Sequence, residues 1–154
     1  GNRIIRISCV ILNQYRKMPW GDRNRLSWGV FYKTFLKELN IDWTKIISKQ
    51  LLPDNCIYVI INNTMNIIEV KHQEVNGSVD EKLQTCDFKK KQYIKLFSEL
   101  NYKVEFMYIL SDWFRQECYK DTRDYIISVG CSYYYNYIPL HELGLPVPPV
   151  DEND

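Results

Sequence analysis

The chain has 154 residues, of which 45% are hydrophobic and 25% charged, a composition typical of one folded domain rather than of a disordered chain. Twenty basic side chains nearly balance nineteen acidic ones, so no global positive charge indicates a nucleic-acid partner. The five cysteines form no CxxC pair, which argues against a zinc site and for free thiols in a reducing compartment. No segment resembles a signal peptide or a membrane span, so we expect a cytoplasmic protein without membrane contact.

The first third of the chain predicts mainly helices. Residues 3–17 are apolar enough for a strand or a short helix. Over 26–40, aromatic and leucine residues recur at helical spacing behind Ser27, a potential N-cap. A second short helix is predicted over 42–52, ending before Pro53 because the residue before a proline disfavours helical geometry.

Two apolar runs then predict a β-hairpin. The strands are expected over 56–61 and 64–72. Asn62 and Asn63 stand between them, and asparagine tolerates the positive φ angles of tight hairpin turns. The sequence therefore predicts a two-residue connection at this pair.

The rest of the chain alternates helices with strands. We predict a loop over 74–81, a helix over 87–100, a strand over 103–110, a helix over 115–130 and a strand over 131–138. The first of these helices has an apolar stripe at Phe88, Tyr93, Leu96, Phe97 and Leu100. This order predicts an α/β fold, a three-layer sandwich in which helices flank a central mixed sheet.

Charged residues interrupt the second strand of the predicted hairpin. Side chains alternate along a strand, so Glu69 and Lys71 share one face while Val70 points to the other. With a two-residue turn, Cys56 would stand opposite Glu69, and Asp54 opposite Lys71 and diagonal to Glu69. Any connection with an even number of residues keeps Asp54 on the face of Glu69 and Lys71.

These residue types suit phosphodiester hydrolysis. Two carboxylates and a nearby backbone carbonyl make an all-oxygen site of the kind that Mg²⁺ prefers, with Mn²⁺ as a possible substitute. The metal can activate a water molecule and polarise a phosphoryl oxygen. An ammonium group beside it can orient the water or neutralise charge that develops on phosphorus.

The same residues carry a resemblance to a known family. Pro53-Asp54, followed after fourteen residues by Glu69-Val70-Lys71, resembles the signature of the PD-(D/E)XK nucleases, which include many type II restriction endonucleases. The resemblance covers about residues 27–138, and it implies a restriction endonuclease-like core. It also implies that Asp54, Glu69 and the carbonyl of Val70 bind the metal and that Lys71 attends the attacking water.

The activity implied is that of a type II site-specific deoxyribonuclease. Such an enzyme would be a Mg²⁺-dependent endonuclease of a restriction-modification system that cuts double-stranded DNA, with two active sites in a homodimer. Residues 1–154 would form one nuclease domain, which could be a fragment of a longer chain because the sequence starts without Met. Gln73 is a candidate accessory residue, and Glu38 is the candidate for a further carboxylate from the preceding helix.

Several basic residues are candidates for DNA contact, and a solvated helix face is the alternative for the lysine run among them. They are Lys82, Lys89, Lys90, Lys91, Arg23 and Arg25. The residues of the motif also have plain structural alternatives: Asp54 as a turn residue after a proline, and Glu69 with Lys71 as a charge pair on a solvated strand face.

Two other functions remain open at this point. A structure-specific or repair nuclease of the same superfamily would use the same residues without a fixed recognition sequence. A non-catalytic DNA-binding module would keep the fold, although it has no physical need for three polar groups on that face.

Overall fold

A computed structural model describes residues 29–59 and 62–145 of the chain. Its centre is a four-stranded sheet in which the strands follow the chain order. The first pair is antiparallel and the next two pairs are parallel, so the sheet is mixed. The predicted α/β class with a mixed sheet is confirmed. The strands are β1 (Asn55–Val59), β2 (Thr64–Lys71), β3 (Lys103–Leu110) and β4 (Ser132–Tyr135).

Helical segments precede the hairpin and connect the parallel strands. A π-helix at Gly29–Phe35 leads into a short α-helical turn, and single 3₁₀ turns occur at Trp43–Lys45, Ser98–Leu100, Asp112–Arg115, Glu117–Tyr119 and Leu140–Leu143. The α-helices are α1 (Leu36–Glu38), α2 (Val79–Leu83), α3 (Cys86–Leu96) and α4 (Lys120–Ser128). The last of them ends before Gly130, whose φ of 78° is easily adopted by glycine.

The two faces of the sheet carry cores of different size. Parallel strands need crossover connections, and β2, β3 and β4 follow one another in a single direction, so crossovers of the same hand bring α3 and α4 to the same face. The large core on that face joins Phe106 of β3 to Tyr93 of α3 and Ile126 of α4. On the other face, Ile68 and Met107 pack with Leu143, after the last strand. Within the described ranges, all four α-helices therefore contribute to, or lie next to, the large core.

The helix predicted over 42–52 is wrong. Only the 3₁₀ turn Trp43–Lys45 forms there, with Asp42 as its cap accepting from the backbone N–H of Thr44. The Tyr32 hydroxyl accepts from the backbone N–H of Leu51 at 2.6 Å and donates to the carbonyl of the same residue. Because these backbone groups bind a side chain, they are not available for helical hydrogen bonds.

The region 74–100 differs from its prediction at both ends. The predicted loop contains the first residues of α2, and the predicted helix begins at Cys86 and changes to a 3₁₀ turn after Leu96. Tyr93 and Leu96 are buried as expected, whereas Phe88 is 62% exposed. The buried face of α3 follows positions 86, 89, 93 and 96, and Phe88 lies on the opposite side of the helix.

The hairpin pairs in a different register from the predicted one. Val59 pairs with Thr64, and Asn63 has the positive φ (50°) expected of a turn asparagine. Cys56 consequently stands opposite Ile67 and not opposite Glu69. Because the register differs from the prediction by two residues, each side chain keeps its predicted face.

Candidate functional site

Asp54 and Glu69 lie opposite each other at the end of the hairpin far from its turn. Asn55 pairs with Ile68, and continuing this register by one position sets Asp54 opposite Glu69, where the prediction had set it opposite Lys71. An oxygen of the Asp54 carboxylate (Oδ2) accepts from the backbone N–H of Val70 at 2.8 Å. This bond ties the residue before β1 to the end of β2.

The backbone carbonyl of Val70 points towards the same neighbouring strand as its N–H group. Along a strand, successive residues direct their backbone groups to opposite neighbours, and the two groups of one residue point the same way. The carbonyl of Lys71 points towards β3, where it accepts from the N–H of Ser111 at 3.1 Å. The carbonyl of Val70 therefore points away from β3, towards the edge where Asp54 lies. The predicted set of two carboxylates and one strand carbonyl is thus brought to one corner of the sheet.

Glu69 is a buried carboxylate that contacts two ammonium groups. It is 6% exposed. The Lys89 ammonium donates to Oε2 at 2.9 Å and to Oε1 at 3.2 Å, and the Lys71 ammonium lies 3.4 Å from Oε2. The lysine side chains are 22% and 20% exposed, respectively. Charge-assisted contacts of this kind offset the large cost of burying a carboxylate.

Two buried tyrosines mark the side of the sheet on which the carboxylates lie. Tyr108 is the register neighbour of Glu69 on β3, and Tyr93 reaches the same core from α3. Burial raises the pKa of both phenols, and the negative charge of Glu69 raises the pKa of each further. Asp54 also raises the pKa of Tyr93. Asp54 and Glu69 therefore lie on the same helix-covered face of the sheet. This location excludes the alternative in which Glu69 belongs to a fully solvated strand face.

Gln73 lies just beyond β2, next to the end of β3. Its backbone N–H donates to the Ser111 hydroxyl at 3.2 Å, and this hydroxyl donates to the Gln73 carbonyl at 3.0 Å. The side-chain amide donates to the carbonyl of Val75 at 2.7 Å, and its Oε1 is buried without a hydrogen-bond partner among the described residues. Gln73 and Lys71 also line an open cavity of about 480 Å³ at the carboxyl ends of the parallel strands.

The remaining predicted residues do not form one surface. Lys90 donates to the carbonyl of Gly130 at 2.6 Å, and Lys91 pairs with Asp87 at 2.9 Å. Lys82 is exposed on α2, and Glu38 is exposed on α1. Arg23 and Arg25 lie outside the described residues. The three neighbouring lysines of α3 thus have three different sets of partners.

The donor set fits a hard divalent cation. No cluster of three or more His, Cys, Asp or Glu side chains occurs in the described part of the chain, so Glu38 does not complete a group with Asp54 and Glu69. Two carboxylates and a carbonyl nevertheless match Mg²⁺, which usually takes one or two carboxylates and completes its octahedron with waters or phosphate oxygens.

Lys89 is the residue whose place in the site the sequence prediction missed. It was predicted as a residue for DNA contact or a solvated face, and the structure places it on Glu69. A signal existed in the spacing, since position 89 falls on the same helix face as Cys86, Tyr93 and Leu96. A lysine on the buried face of a helix requires an anionic partner in the core.

Comparisons with known proteins do not assign this site to a family. No protein-family model matches the sequence, and no curated protein is similar to it. Among the described residues, the helices are too short or too polar to cross a membrane. Only the residues of the corner therefore indicate what this protein does.

Proposed function

We propose that this protein is a Mg²⁺-dependent endonuclease that hydrolyses phosphodiester bonds of double-stranded DNA, in the manner of a type II restriction enzyme. The observation that supports it is the contact of Asp54 with the backbone of Val70 beside a buried Glu69 that binds Lys71 and a second lysine. A charge pair that served stability alone would gain little from burial, because desolvation offsets the attraction.

Each residue of the corner would have a distinct task. Asp54, Glu69 and the carbonyl of Val70 would hold the metal, which would supply Lewis-acid charge at the scissile phosphate and favour ionisation of water. Lys71 would orient the attacking water and neutralise charge on phosphorus. The attacking water would lose a proton to solvent as its oxygen bonds to phosphorus, the P–O bond opposite to it would break, and the leaving oxygen would take up a proton from solvent.

The wider context of this function is also proposed. We infer a restriction endonuclease-like core, two active sites in a homodimer and a place in a cytoplasmic restriction-modification system. A dimer would suit the reaction because each strand of a duplex needs one active site. The free thiols of Cys56, Cys86, Cys118 and Cys131 are compatible with a reducing compartment.

A plasmid assay tests this function. Supercoiled DNA is incubated with the protein in Mg²⁺ or in EDTA, alongside Asp54→Asn, Lys71→Met and the control Lys120→Met, which removes an exposed lysine outside the corner. We expect discrete linear fragments with the parent and the control in Mg²⁺ only. No metal-dependent cutting by the parent, or equal cutting by the parent and Lys71→Met, would refute the proposal; cutting of branched DNA alone would favour a repair nuclease.

A further inference from the structure

Lys89 occupies a position that a solvated lysine would avoid. Helix α3 turns positions 86, 93 and 96 into the large core, and position 89 lies on the same face. The Lys89 side chain therefore runs along the underside of the helix towards β2, where its ammonium reaches Glu69. The lysine stem can pack against apolar surface while its ammonium reaches the carboxylate.

The Lys89 ammonium contacts both oxygens of the Glu69 carboxylate. The Lys89 ammonium donates to both carboxylate oxygens, at 2.9 and 3.2 Å, and the Lys71 ammonium lies 3.4 Å from Oε2. An ammonium that spans both oxygens takes the place where a divalent cation would bind that carboxylate. A metal ion and this ammonium would repel each other strongly at such a separation in a partly buried site.

We propose that Lys89 is the built-in counter-ion of Glu69 in the metal-free protein, and that it leaves the carboxylate when a divalent cation binds. This inference rests on the proposed metal site of the nuclease. Lys89 is then a positioning residue: it keeps Glu69 buried and oriented before the metal arrives. It also lowers the affinity of the site for metal, because each binding event must first break the two ammonium contacts.

The neighbouring Lys91 provides a matched control. It lies two residues further along α3 and pairs with Asp87 at 2.9 Å, with its side chain 70% exposed. Replacing Lys91 by Met removes the same charge from the same helix without touching Glu69. Any effect of Lys89→Met that Lys91→Met shares is therefore due to net charge alone.

Calorimetric titration of the full chain with Mn²⁺, together with melting curves, tests this inference. We expect Lys89→Met to bind Mn²⁺ about tenfold more tightly than the parent, since a charged hydrogen-bond competitor is gone. Its melting temperature should be lower without metal and should rise more than that of the parent on adding Mn²⁺. Lys91→Met should match the parent in both measurements.

The opposite results would overturn the inference. Mn²⁺ affinity that is unchanged or weaker in Lys89→Met would mean that Lys89 does not compete with the metal. If that variant does not fold, Lys89→Gln keeps a hydrogen-bond donor without the charge, and it should bind Mn²⁺ more tightly than the parent.

One further variant separates this inference from the proposed function. Glu69→Gln should lose Mn²⁺ binding if the metal lies at the corner. If it binds Mn²⁺ as the parent does, both the metal site and the role of Lys89 are wrong. If Glu69→Gln loses binding while neither Lys89 variant gains affinity, only the role of Lys89 is wrong.

Discussion

Asn66 and Glu69 are both buried polar residues of β2, yet they are satisfied in different ways. Asn66 is 2% exposed, and its side-chain amide donates to the backbone carbonyls of Ile57, at 3.2 Å, and Thr64. Glu69 is held by the ends of two lysine side chains, one from its own strand and one from α3. Backbone acceptors are fixed by the sheet, whereas lysine ends can move. The comparison separates a polar group that holds a structure together from one that can exchange its partner.

The largest expected effect is that of replacing Glu69, the residue whose partners can be exchanged. Glu69→Gln should lower the rate of DNA cleavage about a thousandfold or more, because the metal's several kcal/mol of charge stabilisation would be lost. Single-turnover cleavage in saturating Mg²⁺ measures it. A variant that folds and still cuts within tenfold of the parent would show that Glu69 is as structural as Asn66.

Ile67 gives the converse case, because it lies on the same face as Glu69 but belongs to the apolar core. It is fully buried, and Ile67→Ala should lower the free energy of unfolding by about 3 kcal/mol through lost burial and a cavity. Urea denaturation measures the loss. Cleavage per folded molecule should stay near that of the parent. A large selective loss of activity would mean that Ile67 supports the site as well as the core.

Asn66 itself should show a smaller and purely structural effect. Asn66→Ala should lower the free energy of unfolding by about 1 kcal/mol, since a typical buried hydrogen bond contributes that much. Its Mn²⁺ affinity, measured by calorimetry, should equal that of the parent. A shift in metal affinity comparable to that of Glu69→Gln would contradict the division between the two residues.

An effect confined to high pH concerns Tyr32, a second polar group held by backbone groups. Burial raises its pKa to about 12 from 10. Since the unfolded phenol ionises near pH 10, the associated stability is full below pH 10 and falls as pH rises to 12. In Tyr32→Phe, the decline of unfolding free energy over this range should be less steep by about 1.4 kcal/mol per pH unit. Urea denaturation at several pH values tests this, and an unchanged slope would show that Tyr32 does not titrate as a buried phenol.

Much of the arrangement follows from the sequence by local rules. Alternation along β2 places Glu69 and Lys71 on one face whatever lies around them, and the even-numbered connection keeps Asp54 with them. The same reasoning predicted β3 over its observed residues and located β4, which is shorter than the predicted 131–138, because β-rich runs bounded by turn residues depend on nearby residues.

The tertiary structure decided which residues meet. The register of β1 on β2 set Asp54 opposite Glu69 rather than Lys71. The rotation of α3 turned Lys89 towards Glu69 and left Phe88 exposed. A local pattern determines the face of a strand because its period is short. Register, helix rotation and the partner of a buried charge depend on contacts between segments that are distant in sequence, so only the packed fold determines them.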